Sequence, residues 1–168
     1  MLLDADAIAA ALEALDVQLG KSGVRAELFL VGGAVLCVVH NARPATRDVD
    51  GWFVPATAVR ESAAAVARER GLPEDWLNDA AKGFLPANAG FTRWREWPHL
   101  VVSVAEPRTL LAMKVAAART ERDADDIRFL ARVLGLQTAA EVLVVATAYY
   151  PAEQLPVRAQ LLVEELFG

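Results

Sequence analysis

A nearly continuous apolar segment that ends in two glycines limits the folds open to this chain more than any other feature. Residues 27–31 are mostly apolar, Gly32 and Gly33 follow at once, and residues 34–40 are again apolar. The first segment predicts a central strand, and the last predicts a short helix. A Gly-Gly junction lets the backbone approach a phosphate closely, and a helix start adds partial positive charge. The same pair is also typical of a plain tight turn.

Two carboxylates follow on the next predicted strand, residues 47–54. Asp48 and Asp50 are two positions apart, so on a strand both side chains point to one face. Two carboxylates held together repel each other unless a cation lies between them, and Mg²⁺ prefers hard oxygen ligands together with substrate phosphates. The alternative is a solvent-facing strand edge with two solvated acids, with Arg47 as their partner.

The remaining segments predict a small mixed sheet flanked by helices. Helices are predicted at 4–19, 57–70, 74–82, 107–119, 122–134, from the Thr138/Glu141 capping-box pattern onward, and from Pro156 onward. A third strand is predicted at 100–105, and 83–98 is predicted to be a loop. This order indicates an α/β (α+β) fold with a helical C-terminal part. We expect a single domain over 1–168, with its core at 24–106 and the helical part at 107–168.

Composition excludes several classes of protein. With 168 residues, 55% of them hydrophobic, the chain can bury a core without disulfides. No apolar stretch approaches the roughly 20 residues that cross a bilayer, so we expect no membrane partner. The acidic start lacks the basic residues of a signal peptide. Cys37 is the single cysteine and lies in an apolar run, which predicts a buried, inert thiol and a cytoplasmic location.

The charges are distributed unevenly along the chain. The net charge is −5, which argues against a protein coated in nucleic acid. The middle of the chain is nevertheless rich in basic residues: Arg43, Arg47, Lys82, Arg93, Arg95, Lys114, Arg119 and Arg122. This asymmetry predicts one face that meets an anion.

Taken together, these motifs resemble a known superfamily. A Gly-Gly pair, a short helix and an Asp-x-Asp on the next strand are similar to the signature of the DNA polymerase beta-like nucleotidyltransferases. The flanking residues resemble the AbiEii/MenT group of nucleotidyltransferase-like toxins and their relatives. The matching segments are 32–34, Arg43, 46–50, 72–79, 111–119 and 122–127. The resemblance runs from about residue 28 to residue 134.

The resemblance implies a nucleotide site at the first motifs. Gly32 and Gly33 would cradle the triphosphate of a nucleoside triphosphate. Asp48 and Asp50 would hold one or two Mg²⁺ ions, which bridge the phosphates and activate the attacking hydroxyl. Arg47 would contact a phosphate or the acceptor.

It also implies roles for later residues. Lys114 would meet the triphosphate and stabilise charge on the leaving pyrophosphate. Asp126 would be a later essential acid, with Asp123 as its competitor, and Arg43 would be a phosphate or acceptor contact. Read without the resemblance, Lys114 is a solvated helix residue, although it stands isolated among apolar neighbours. Asp123 and Asp126 each follow an arginine by four residues, which is also the spacing of plain surface ion pairs.

The expected activity is Mg²⁺-dependent transfer of a nucleoside monophosphate from a nucleoside triphosphate to an acceptor hydroxyl. By resemblance the acceptor is the 3′ end of transfer RNA, and a cognate antitoxin protein is a partner. Arg93 and Arg95, beside Trp94 and Trp97, are the candidate substrate contacts, because basic and aromatic residues together suit a nucleic acid. These tryptophans, like Trp76, can equally be packing residues.

One departure from the superfamily keeps two alternatives open. Full members carry a third metal-binding carboxylate on a later strand, whereas residues 100–105 contain no acid and have Ser103 in the middle. An adenylyltransferase that acts on a small molecule or a protein is one alternative. A degenerate module that binds a nucleotide without turnover is the other.

Overall fold

A computed structural model describes residues 1–119 and 122–168 in full and shows a mixed α/β fold. The helices are α1 (Ala5–Lys21), α2 (Gly32–Val38), α3 (Ala56–Arg70), α4 (Pro107–Ala117), α5 (Thr120–Val133), α6 (Ala139–Tyr149) and α7 (Val157–Phe167). The strands are β1 (Ala26–Val31), β2 (Val49–Val54), β3 (Leu77–Asn78), β4 (Phe91–Glu96) and β5 (Leu100–Ala105). The predicted fold class, a small mixed sheet with flanking helices, is confirmed.

The strands form one mixed sheet in the order β3-β2-β1-β5-β4. Strand β1 lies antiparallel to β2, with Val31 opposite Asp50 and Phe29 opposite Trp52. It lies parallel to β5, where Ser103 is the partner of Phe29. Strand β3 is parallel to β2 and pairs Asn78 with Asp50. The end of β1 that leads into Gly32 and the start of β2 that carries Asp50 are therefore neighbours, and β3 lies beside the same part of β2.

The two faces of this sheet differ in burial. On one face Leu28, Leu30, Phe53 and Val102 are at most 3% exposed. On the other face Trp52 is 37% exposed. The alternation follows from the period of two along a strand, which sends successive side chains to opposite faces. The face of Trp52 is also the face of Asp50, because the two residues are two positions apart on β2.

Local sequence explains where several helices begin and end. The Asp4 carboxylate accepts a hydrogen bond from the backbone N–H of Ala7 at the start of α1 (2.8 Å). Helix α6 begins with the predicted capping box, in which Thr138 and Glu141 satisfy each other's backbone N–H groups. Gly71 adopts φ +65° where α3 ends, a conformation that glycine takes without strain.

The chain divides into two compact units. The first comprises residues 1–83 and 91–104, and in it α1 packs against α2 and α3. The second comprises residues 84–90 and 105–168, and in it α4 packs against α5, α6 and α7. Within the described residues, no helix is long and apolar enough to span a membrane.

The region between α3 and β5 differs from its prediction. The predicted helix at 74–82 is wrong, because the chain forms β3 and then a 3₁₀ helix at Ala80–Phe84. Trp76 causes the difference, since its side chain is fully buried and its indole N–H donates to the carbonyl of Ala63 (3.0 Å). The predicted loop at 83–98 contains β4.

Candidate functional site

The turn between β1 and α2 requires glycine for two reasons. Gly32 has φ +69°, in the left-handed region that favours glycine. A Cβ atom at Gly32 would lie 3.2 Å from Oδ2 of Asp50. A Cβ atom at Gly33 would lie 3.0 Å from Oγ1 of Thr46 and 3.2 Å from Nη1 of Arg43. The turn therefore lies directly against the Asp50 carboxylate and the Arg43 guanidinium.

Asp48 and Asp50 lie together at the edge of the sheet beside this turn. Strand β2 begins at Val49, so Asp48 immediately precedes the strand that was predicted to start at residue 47. The side-chain amide of Asn78 donates to Oδ2 of Asp48 at 3.4 Å. Because Asn78 is also the register partner of Asp50, both carboxylates belong to one side of the sheet. The Thr46 hydroxyl donates to the Asp48 carbonyl at 3.2 Å and fixes this approach.

The donor chemistry at this edge suits a hard cation that is shared with a substrate. Asp48 and Asp50 are each half-buried, so both keep access to solvent. In residues 1–119 and 122–168, no group of three or more histidine, cysteine or acidic side chains is arranged to hold a metal. Magnesium commonly uses one or two carboxylates, with substrate phosphates and water completing its octahedron. Asp48 and Asp50 fit that mode of binding.

The predicted basic contacts fall into two groups. Arg43 is half-buried against the Gly33 turn, and Arg47 is exposed nearby in sequence. On β4, Arg93 forms an ion pair with Glu96 (2.9 Å), and the guanidinium of Arg95 lies 4.4 Å from the centre of the Trp94 ring. The structure thus places the Arg43 guanidinium against the glycine turn.

Lys114 and Asp126 meet in the second unit. The Lys114 ammonium lies 2.9 Å from Oδ2 of Asp126 and 3.0 Å from Oδ1 of Asp123. Asp123 also accepts the backbone N–H of Arg119 (3.0 Å), where α5 begins. Both aspartates are 5% exposed. The structure thus shows Lys114 held by two buried carboxylates, so its interpretation as a solvated helix residue is wrong.

Strand β5 contributes no acid beside Asp50. Val101 and Ser103 lie on that face, as their pairing with Glu27 and Phe29 shows, and Ala105 follows by the alternation along the strand. Glu106 follows the strand and lies in the second unit, where its carboxylate occupies the space that Gly90 leaves open. Around Asp50, β5 therefore supplies only small or apolar side chains and no third carboxylate.

Sequence reasoning missed two features of this site. Asn78 was assigned no role, since the contact with Asp48 depends on pairing between segments 30 residues apart. Phe29, Trp52 and Phe91 form a cluster in which Phe29 stacks on Trp52 (5.3 Å) and meets Phe91 edge-on (5.2 Å). The period of two along β2 could have placed Trp52 beside Asp50. Phe91 could not be placed on the sheet, because residues 83–98 were predicted to be a loop and not to contain β4.

Burial shifts the pKa of two titratable groups, one in α2 and one just after it. Burial, with a further contribution from Asp4, raises the pKa of the Cys37 thiol, while Arg43 partly opposes this shift. Burial lowers the pKa of His40. Cys37 is 2% exposed, and its thiol contacts the Pro44 carbonyl at 3.8 Å. The prediction of a buried cysteine is confirmed, and the raised pKa keeps its thiol protonated near neutral pH.

No known protein family, curated protein or solved structure matches this chain. What is established is a class, a mixed α/β protein with a five-stranded sheet. A glycine turn and a pair of aspartates lie at one edge of that sheet.

Proposed function

We propose that this chain is a nucleotidyltransferase, which moves a nucleoside monophosphate from a nucleoside triphosphate to an acceptor hydroxyl with release of pyrophosphate. The observation that carries the proposal is the contact between the glycine turn and the Asp-x-Asp pair. Gly32 has no side chain where the Asp50 carboxylate lies, and Asp48 is held on the same side by Asn78. A phosphate chain needs both an open backbone and a cation held by oxygen ligands.

Each residue of the edge has a defined task in this proposal. Asp48 and Asp50 would hold Mg²⁺, which when bound polarises the phosphates and lowers the pKa of the attacking hydroxyl. The Gly32-Gly33 turn lets the triphosphate approach the backbone without a steric clash. Arg43 places a guanidinium against the turn, where it would pair with phosphate oxygens. Asn78 orients Asp48 through its side-chain amide.

Lys114 and Asp126 enter the proposal through the resemblance to the toxin-type nucleotidyltransferases. In those terms Lys114 stabilises charge on the leaving pyrophosphate, and Asp126 is the later acid. The second unit adds that Lys114 is already oriented by two buried carboxylates. Because these two carboxylates already balance the charge of Lys114, its role in transfer rests on the resemblance alone.

The proposal also names an acceptor for the nucleotide and a protein partner. The same resemblance favours the 3′ end of transfer RNA as the acceptor and a cognate antitoxin protein as the partner. Arg93 and Arg95 on β4 are the proposed contacts for the acceptor backbone. Both side chains are exposed, although Arg93 also pairs with Glu96.

A second candidate function is nucleotide binding without transfer. It is favoured by β5, which offers Ser103 and no acid on the face of Asp50. A site with two carboxylates can still bind a Mg²⁺-nucleotide complex. The two candidates differ in whether any product forms.

The test incubates the protein with Mg²⁺, each α-labelled nucleoside triphosphate in turn and total cellular RNA. We expect label on transfer RNA from the wild type and none from Asp50→Asn. Asp125→Asn is the matched control, because the Asp125 side chain is 90% exposed and its ion pair with Arg128, at 3.4 Å, lies on the surface. Nucleotide binding without any labelled product would favour the second candidate. Equal labelling by Asp50→Asn would refute the assigned site.

A further inference from the structure

The sheet face that carries Asp50 also carries an unusual group of aromatic side chains. Phe29 on β1, Trp52 on β2 and Phe91 on β4 form what is called here the aromatic platform. Phe29 and Trp52 are register partners, with ring centres 5.3 Å apart and planes inclined by 26°. Phe91 meets Phe29 with ring centres 5.2 Å apart and an interplanar angle of 73°. The three rings therefore form one continuous apolar surface.

This surface is accessible where a strand normally carries polar residues. Trp52 is 37% exposed, and Val54, two residues further along β2, is 45% exposed. The solvent-facing side of a sheet usually carries polar residues, in alternation with a buried apolar side. The opposite face of this sheet is already filled by aliphatic residues that are fully buried, including Leu28 and Leu30. The core of the first unit does not account for an exposed tryptophan at this position.

The platform extends beyond β1 to the strands that follow it in the sheet. Strand β5 follows β1 in the sheet, and Ser103 is the register partner of Phe29. Strand β4 lies on the far side of β5 from β1, and the ring of Phe91 on β4 contacts the ring of Phe29 on β1. Ser103, at the strand where the superfamily resemblance leads one to expect a third carboxylate, is thus the register partner of a platform residue.

The neighbouring residue on β2 indicates what the platform binds. Asp50 and Trp52 share a face and are about 7 Å apart along the strand, from a rise of roughly 3.4 Å per residue. A nucleotide whose phosphates lie at Asp50 therefore has its base within reach of the Trp52 ring. Bases stack on aromatic side chains, and every base offers a flat π-face for this contact.

We propose that the aromatic platform is the base-binding subsite for the nucleoside triphosphate, with the base stacked on Trp52. This inference rests on the proposed function, since it places the phosphates at Asp48 and Asp50. It assigns recognition of the base to stacking, and it therefore predicts weak discrimination among the bases.

Binding of ATP and of inorganic tripolyphosphate, both with Mg²⁺, separates the base from the phosphates. Trp52→Ala should weaken ATP binding about 5- to 150-fold, the range typical of one lost base stack, and leave tripolyphosphate binding unchanged. Trp52→Phe, which keeps an aromatic face, should stay within about threefold of the wild type. Val54→Ala is the matched control, since Val54 is exposed on the same face of the same strand.

Tryptophan fluorescence gives a second readout that does not depend on the alanine variant's folding. ATP should quench the wild type more than tripolyphosphate does, and Trp52→Phe should abolish the difference. A difference that persists in Trp52→Phe would overturn the platform, and so would equal loss of ATP and tripolyphosphate binding in Trp52→Ala. The platform would also be overturned if Trp52→Ala weakened binding of a short oligonucleotide but not of ATP, because the aromatic rings would then bind the acceptor.

The failure of this inference is distinguishable from the failure of the proposed function. If Trp52→Ala weakens binding of ATP but not of tripolyphosphate, and no nucleotide is transferred, the platform is supported and the transferase is refuted. If transfer requires Asp50 but Trp52→Ala binds ATP as well as the wild type does, the platform alone is refuted.

Discussion

At the scale of single residues, the site depends on Gly32, whose lack of a side chain leaves room for the Asp50 carboxylate. Gly32 combines a left-handed φ of +69° with a close approach to the Asp50 carboxylate. Gly71 has nearly the same φ, +65°, but nothing lies within 4 Å of the Cβ position there. A side chain would strain the backbone at both glycines, but it would contact the site only at Gly32.

Replacement of each glycine by alanine tests this separation. Gly32→Ala and Gly71→Ala should each lower the free energy of unfolding by about 1–2 kcal/mol, because both force alanine into the left-handed region. Only Gly32→Ala should also reduce Mg²⁺-nucleotide binding and transfer, since its methyl group displaces Asp50. Urea unfolding and nucleotide titration measure the two effects. Equal loss of nucleotide binding in both variants would contradict the assigned contact.

The Lys114 cluster makes a different prediction at the same scale. Lys114→Met would leave Asp123 and Asp126 buried without their cation, so the free energy of unfolding should fall by about 3–5 kcal/mol. Arg128→Met removes the cation of an exposed pair, Arg128–Asp125, and should change it by less than about 1 kcal/mol. Urea denaturation compares the two variants. A similar small effect from both would show that the buried cluster is not an electrostatic unit.

At the scale of elements, the sequence predicts what is encoded locally. Strand β5 is continuous and apolar, and the Thr138–Glu141 capping box specifies its helix start without distant contacts. Strand β3 has only two residues, and its existence depends on the backbone N–H of Val49, which donates to the Trp76 carbonyl (2.6 Å). Strand β4 carries charged residues among its aromatic ones, and this pattern predicts a loop. Short or polar strands are stabilised by neighbours distant in sequence, which local patterns do not show.

The same distinction applies to the site. The glycine pair and the two aspartates could be identified from sequence, because each occupies a fixed place relative to its own strand. Asn78 and the aromatic platform could not, because they require the sheet order β3-β2-β1-β5-β4. The pairing of Lys114 with Asp123 and Asp126 likewise depends on how α4 meets α5. The sequence showed only a lysine isolated in an apolar helix.

The end of α6 gives a prediction about pH. The Tyr150 hydroxyl donates to the Phe84 carbonyl at 2.7 Å, and burial raises the pKa of Tyr150 to about 12. The folded state therefore favours the protonated phenol. Its contribution to stability is complete below pH 10, the ordinary pKa, and is lost as the pH rises towards 12.

Tyr150→Phe isolates that contribution. At pH 8 the variant should be less stable than the wild type by about 0.5–1.5 kcal/mol, because one hydrogen bond is missing. The difference should shrink between pH 10 and pH 12, since only the wild type has the phenol to ionise. Urea unfolding across that range provides the measurement. A difference that stays constant to pH 12 would show that the buried phenol is not coupled to folding.

At the scale of the whole molecule, the net charge is −5, so the proposal has the anionic nucleotide bind through Mg²⁺ and not through a generally basic surface. The first unit contains the glycine turn, the two aspartates and the aromatic platform. The second unit contains the Lys114 cluster. The nucleotide site proposed above therefore consists of residues of the first unit.

Release of pyrophosphate from a nucleoside triphosphate is the most direct measurement of the central claim. The wild type, Asp50→Asn and the control Asp125→Asn are compared with Mg²⁺ and with the metal removed by a chelator, in the presence of cellular RNA. We predict release by the wild type and by Asp125→Asn that stops when the metal is removed, and a loss of at least about 100-fold in Asp50→Asn. Pyrophosphate release by Asp50→Asn at the wild-type rate would contradict the account.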